Sequence, residues 1–140
     1  MQRPTRILLV TVLASLAAFG IFVLTDHYRD PGRIAYMLNI STPPSSLSVS
    51  SCESDAWTDV SITCAIRVDP QQFPQLLSGY AFSESPSEES SYSLQLPNVG
   101  KEFTVAVEFK AQPASFKNGG MVSVFADAQR EHAVVHLYIE

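Results

Sequence analysis

The amino-acid sequence predicts an α+β fold: an antiparallel sheet of about five strands with one short helix packed on it, preceded by an N-terminal transmembrane helix. Three observations carry this expectation. Ile7 to Leu24 form a run without a charged side chain, and Arg3 and Arg6 stand before it. Apolar and polar residues alternate over 58–68, 103–109 and 132–139, the period of half-buried strands. Between the first two of these segments, Phe73, Leu76, Leu77 and Tyr80 recur at helical spacing.

The apolar run comes first in the chain. Its eighteen residues span roughly 27 Å as a helix, close to the ~30 Å hydrocarbon thickness of a bilayer. A cleaved signal peptide is the competing expectation, because Ser15 and Ala17 would satisfy a cut after Ala17. Phe19 to Leu24 continue the run beyond such a cut, so an uncleaved anchor over residues 1–25 is favoured. Arg3, Arg6 and the terminal amine should stay cytoplasmic, since Asp26, His27, Tyr28, Arg29 and Asp30 form no competing positive cluster. The sequence therefore predicts a single-pass protein of the inner (cell) membrane, held through residues 7–24, with its C-terminal domain periplasmic or extracellular. No cysteine follows the run where a lipoprotein would be acylated.

About 110 residues remain, enough for one domain. A net charge of -5 and nine scattered basic residues argue against a nucleic-acid binder, which needs clustered Lys and Arg along phosphates. Cys52 and Cys64 enclose eleven residues. In an oxidising compartment they are expected to form a disulfide that contributes about 3 kcal/mol by loop closure. A metal site is not expected, because His27, His132 and His136 show no paired-ligand spacing with either cysteine.

Residues 26–45 read as a juxtamembrane helix and connector, with Asp30 and Pro31 starting a helix through Arg33 to Leu38 and Thr42 to Ser46 forming a stiff Pro-rich link. The extracytoplasmic domain is expected over 46–140. Leu47 to Cys52 should pair with 58–68 as a hairpin turning at Glu53 to Trp57. Leu47 and Val49 share a face that Cys52 does not, whereas Cys64 lies on its strand's apolar side; a bulge near Ser50 or Ser51 would resolve this, and without one the disulfide must lie at the frayed end of the pair. Asp69, Pro70 and Gln72 read as a capping box opening the helix, Gly79 as its stop, and Pro74 as a disturbance within it. Residues 81–100 read as a surface loop, 103–109 and 121–126 as strands, Asp127 to Glu131 as a turn and 132–139 as the last strand. A small all-β sandwich is the alternative architecture.

Chemistry is harder to find. No G-x-S-x-G elbow occurs, and Ser61 and Ser123 lie in strand patterns. His132 and His136 share a strand face but stand about 13 Å apart, too far for one metal ion. The carboxylate pairs Glu88 with Glu89 and Asp127 with Glu131 fall on turns, which provide no contrast of buried and solvated acids for general acid-base work. Asn118, Gly119 and Gly120 lack the Lys-Ser or Lys-Thr of a phosphate loop. Asn39 with Ser41 matches a glycosylation acceptor, discounted because the context reads as bacterial. A non-enzymatic protein without a cofactor is expected.

Pro43 to Ser46, the following hairpin, Arg67, Val68, Asp69, Pro70 and the Phe73 to Leu77 segment resemble small bacterial extracytoplasmic proteins of unknown function. The resemblance spans roughly residues 40–80 and implies a membrane-tethered exported domain. Such a domain is expected to bind another protein at the membrane surface as an accessory or immunity-like factor, with Glu84, Glu88 and Glu89 offering an acidic patch to a basic partner. The alternative is a small-ligand pocket between helix and sheet, lined by Trp57, Tyr80 and Tyr138. Intact mass with and without thiol alkylation checks the first steps. The expected result is a full-length chain whose thiols are alkylated only after reduction; a mass short by the first seventeen residues would show cleavage instead.

Overall fold

A computed structural model of the chain describes residues 10–21, 29–87 and 103–140. Six antiparallel strands form one sheet: β1 (Ser48–Asp55), β2 (Val60–Arg67), β3 (Ser83–Pro86), β4 (Val107–Ala111), β5 (Gly120–Ala126) and β6 (His132–Ile139), ordered β1-β2-β6-β5-β4-β3. Residues 10–21 are helical (α1), and two further helices follow, α2 (Pro31–Leu38) and α3 (Phe73–Leu76). The described residues thus make an α+β arrangement with six strands rather than five.

Alternation places the core. Cys64 and Ile66 of β2, Ala133, Val135 and Leu137 of β6, Val122, Val124 and Ala126 of β5 and Phe109 of β4 are buried on one face of the sheet. Val134 and Phe125 point to the opposite face, where they meet Val105 in a smaller cluster. The bulge is present: the β1–β2 register shifts between Val49 and Ser51, which lets Val49 oppose Ile66 on the core face and still brings Cys52 opposite Cys64. Those two cysteines form a disulfide.

The core face is covered by α2 and α3. Asp30 caps α2, its carboxylate accepting the Gly32 N–H at 2.8 Å, and Pro31 occupies the first turn. Asn39 ends the helix in the left-handed conformation, φ 54°, a geometry Asn tolerates better than most residues. Ile34, Met37 and Leu38 are fully buried in the core. The juxtamembrane helix expected from sequence is therefore present but supplies core side chains, and the packed body extends back at least to Pro31 and not only to residue 46.

The helix expected over 70–80 is reduced to the four residues of α3. Pro74 removes a backbone donor, and Gln72 does not close a capping box. Its side-chain oxygen instead accepts the Ser46 N–H at 3.0 Å and hydroxyl at 2.8 Å, while Asp69 donates its N–H to Ser46 Oγ at 2.9 Å. This polar knot pins the Pro-rich segment to the start of α3.

Two strand expectations change. β3, Ser-Glu-Ser-Pro, lies inside the supposed loop; it is an exposed edge strand ending at Pro86, so it carries no apolar alternation to reveal it. The strand read over 103–109 joins the ladder only at Val107. Val107 and Phe109 face the main core, whereas Phe103 and Val105 pack on the opposite face. The two halves of that alternating run thus serve different clusters.

Among the described residues no helix is long and apolar enough to cross a membrane. Residues 10–21 of α1 account for roughly 18 Å of helix. Their apolar side chains, including Val10, Leu16 and Phe19, are exposed. Residues 7–9 and 22–24 of the apolar run lie outside the described ones.

Gly79 fixes how closely the α3 corner approaches α2. A Cβ there would overlap the Leu38 carbonyl oxygen and lie 2.6 Å from that of Asn39. Gly79→Ala should therefore lower stability by about 3 kcal/mol, as overpacking against rigid backbone does, read as a fall in the urea unfolding midpoint.

Candidate functional site

A cleft of about 480 Å³ opens beside α2. The C-terminal half of α2 and the turn after it form one wall; Leu137 and Ile139, at the end of β6, form the other. Phe116 and Tyr80 close one side, their rings meeting edge to face at 6.4 Å. Met37 and Ile40 supply further apolar surface, and Asn39, Ser41, Tyr36 and Tyr80 bring polar atoms. None of the ten lining residues carries a formal charge. A smaller hollow of about 400 Å³ shares Asn39 and Tyr80 with this cleft.

Local sequence accounts for the shape. The left-handed Asn39 turns the chain off the end of α2, and its side-chain amide donates to the Gly79 carbonyl at 3.2 Å, joining the helix to the Tyr80 corner. That bond engages the nitrogen a glycan would occupy in the Asn39–Ser41 acceptor pattern. Burial, and then the neighbouring Tyr36, push the Tyr80 phenol above its ordinary pKa, so it remains a neutral donor at physiological pH. Tyr36 is 74% exposed at the mouth. Uncharged walls with hydroxyl and amide groups suit an apolar group that carries few hydrogen-bonding atoms.

The three aromatic residues proposed from sequence as pocket lining do not meet. Tyr80 lines the cleft. Tyr138 alternates onto the opposite face of β6, where its hydroxyl donates to Asp59 at 3.2 Å. Trp57 is 94% exposed at the tip of the β1–β2 hairpin. Sequence reasoning missed Tyr36, which lies in the helix read as juxtamembrane, Ile40, just after that helix, and Phe116, in a turn-rich link. The helical spacing of Ile34, Met37 and Leu38 was the available signal for a packed α2.

Glu84 lies on β3, and its carboxylate takes the Arg130 guanidinium at 3.2 Å. Arg130 also stands 5.5 Å from the Phe109 ring centroid and 5.9 Å from that of Phe73, so it ties the edge strand to the core. Glu88 and Glu89 lie outside the described residues. Asp127 and Glu131 serve the last turn: Asp127 accepts the Glu131 N–H at 2.9 Å and meets His132 Nδ1 at 3.1 Å, while Glu131 pairs with Arg67.

His136 sits across the sheet from Thr63 on one side and Ser123 on the other. Its Nδ1 lies 2.9 Å from Thr63 Oγ1, and the Ser123 hydroxyl reaches Glu108 at 3.5 Å. Glu108 in turn pairs with Lys110 at 3.1 Å. Ser123 is thus directed toward a carboxylate, and on this face polar contacts join β2 to β6 and, separately, β5 to β4. Among the described residues no group of three or more His, Cys, Asp or Glu is placed to hold a metal ion. No family model, curated protein or solved structure matches the chain.

Burial holds the His136 imidazole below its ordinary pKa of 6.5. As the pH falls through that value, the unfolded chain takes up the proton before the folded chain does, so this residue's contribution is intact above about 6.5 and declines below it. Urea midpoints should drop between about pH 7.5 and about pH 5, and His136→Gln should flatten that drop.

Proposed function

We propose that this chain is a non-catalytic extracytoplasmic domain, tethered to the inner (cell) membrane by its N-terminal apolar segment, that binds another protein at the membrane surface as an accessory or immunity-like factor. The observation that carries the reading is the open, uncharged cleft built on α2, the first element after the anchor. From Leu24 to Pro31 the chain spans at most about 25 Å even when fully extended, so an anchor ending at Leu24 keeps the cleft near the bilayer. Tethering raises the local concentration of the cleft around any membrane-bound partner and strengthens a modest contact. The Cys52–Cys64 disulfide supports an oxidising compartment, hence an outward-facing body with the N-terminus cytoplasmic.

A second reading, a small apolar ligand, is favoured by the cleft volume, which falls within the range of about 300–1,000 Å³ usual for small-molecule sites. Crosslinked co-purification from native membranes separates the two. A stoichiometric protein should be recovered with the full chain, lost when residues 1–24 are removed, and reduced by Tyr36→Ala or Ser41→Arg at the cleft. Recovery of no protein from any form would leave the ligand reading, to be tested by thermal shift against a metabolite panel.

A further inference from the structure

The cleft leaves one conspicuous side chain unused. Trp57, the only tryptophan of the chain, is 94% exposed, although indole is among the side chains most costly to leave in water. Its support is firm. Cys52 and Cys64 face each other across the hairpin and are covalently joined. Asp59, two residues beyond the indole, accepts the Tyr138 hydroxyl at 3.2 Å. β2 is in turn paired with β6 as far as Val60 opposite Ile139. The backbone that presents this indole is held on both sides, so docking has little main chain to order, and tryptophan is among the residues enriched at interface hot spots.

Charge identifies the partner's chemistry. Glu53 to Asp59 contain three acids and no Lys or Arg. Glu53 and Asp55 oppose Thr63 and Ser61 on the sheet face that also carries Tyr138, and Asp59 bonds to Tyr138 from the same side. Both Glu53 and Asp55 are exposed on β1, the free edge of the sheet. Such a surface is repelled by an anionic leaflet and attracts cations. An arginine guanidinium stacks well on an indole and forms two parallel bonds to a carboxylate, so one residue type serves both parts of this tip.

We propose that the tip of the β1–β2 hairpin is a docking surface for a basic protein, with Trp57 stacking an Arg or Lys side chain and Glu53 and Asp55 pairing with its neighbours. It rests on the protein-binding reading for the existence of a partner, yet it uses none of the cleft residues. It also moves the acidic contact away from Glu84, whose carboxylate is already paired with Arg130.

Two measurements test it. Full-length protein in neutral detergent is titrated with a deca-arginine peptide, a deca-glutamate peptide serving as control, and Trp57 emission is followed. Deca-arginine should change the emission, high salt should abolish the change, and the Glu53→Gln/Asp55→Asn double variant should bind about tenfold more weakly. An affinity unchanged in the double variant would overturn the proposal. In native membranes, a photocrosslinking phenylalanine analogue replaces Thr58, the exposed neighbour of Trp57, or, separately, Tyr36 at the cleft mouth. A protein adduct from position 58 that the double variant suppresses, and whose crosslinked peptide is rich in Arg or Lys, supports the hairpin. Adducts from 58 to lipid alone, or a protein adduct from position 36 alone, overturn the hairpin and leave the cleft reading standing. No protein adduct from either position overturns both.

Discussion

The last strand is buried on both faces, and the rest of the domain is arranged around that constraint. β6 lies between β2 and β5, with Val135 and Leu137 in the main core and Val134 in the smaller cluster behind it. One face of β6 is apolar throughout, and on the other Val134 is buried between the half-buried His132, His136 and Tyr138, so at an edge or in a one-sided sheet the strand would leave buried side chains in water. The chain therefore needs cover on both sides. On the core side it comes from α2 and α3; on the other, Val105 and Phe125 pack against Val134.

Cover on the core side depends on a close backbone approach. Gly79 lets the corner after α3 lie against the C-terminus of α2, and Asn39 bridges the two with its side-chain amide. The same contact shapes the cleft, because α2 ends in a left-handed turn before it can close over Leu137 and Ile139. Fold and candidate site thus share their supports. Polar side chains are used economically in this frame. Gln72 ties the Pro-rich segment to α3, Arg130 ties β3 to the core, and Asp127 orders the last turn. Exposed pairs such as Glu84 with Arg130 contribute little individually in water, so they guide placement more than they stabilise.

Much of the fold was legible because strand burial has a strict period of two. Alternation in 58–68 and 132–139 marked β2 and β6, and in β2 it also marked the side that faces the core. The mismatch between Val49 and Cys52 called for either a bulge near Ser50 or Ser51 or a disulfide at a frayed end, and the register shift between Val49 and Ser51 is the first of these. The same rule failed where the chain changes faces. Phe103, Val105, Val107 and Phe109 look like one strand in sequence, yet they divide between two clusters. It failed again at β3, a four-residue edge strand with every side chain exposed, since nothing buried leaves a pattern to read.

The sequence by itself determined the local and periodic features: an apolar N-terminal run, two cysteines that pair, a hairpin with a bulge, a capped helix after Asp30, and an α+β class. These follow from residue spacing, turn chemistry and charge, which act over a few neighbours. Only the tertiary structure decided that α2 belongs to the core, that Tyr80 meets Tyr36 and Phe116 at a cleft while Tyr138 faces the other way, that Glu84 is engaged by Arg130, and that Trp57 stands in solvent. Each of those depends on segments far apart in the chain arriving at one place. Burial and backbone contact set that arrival, and no local pattern records it.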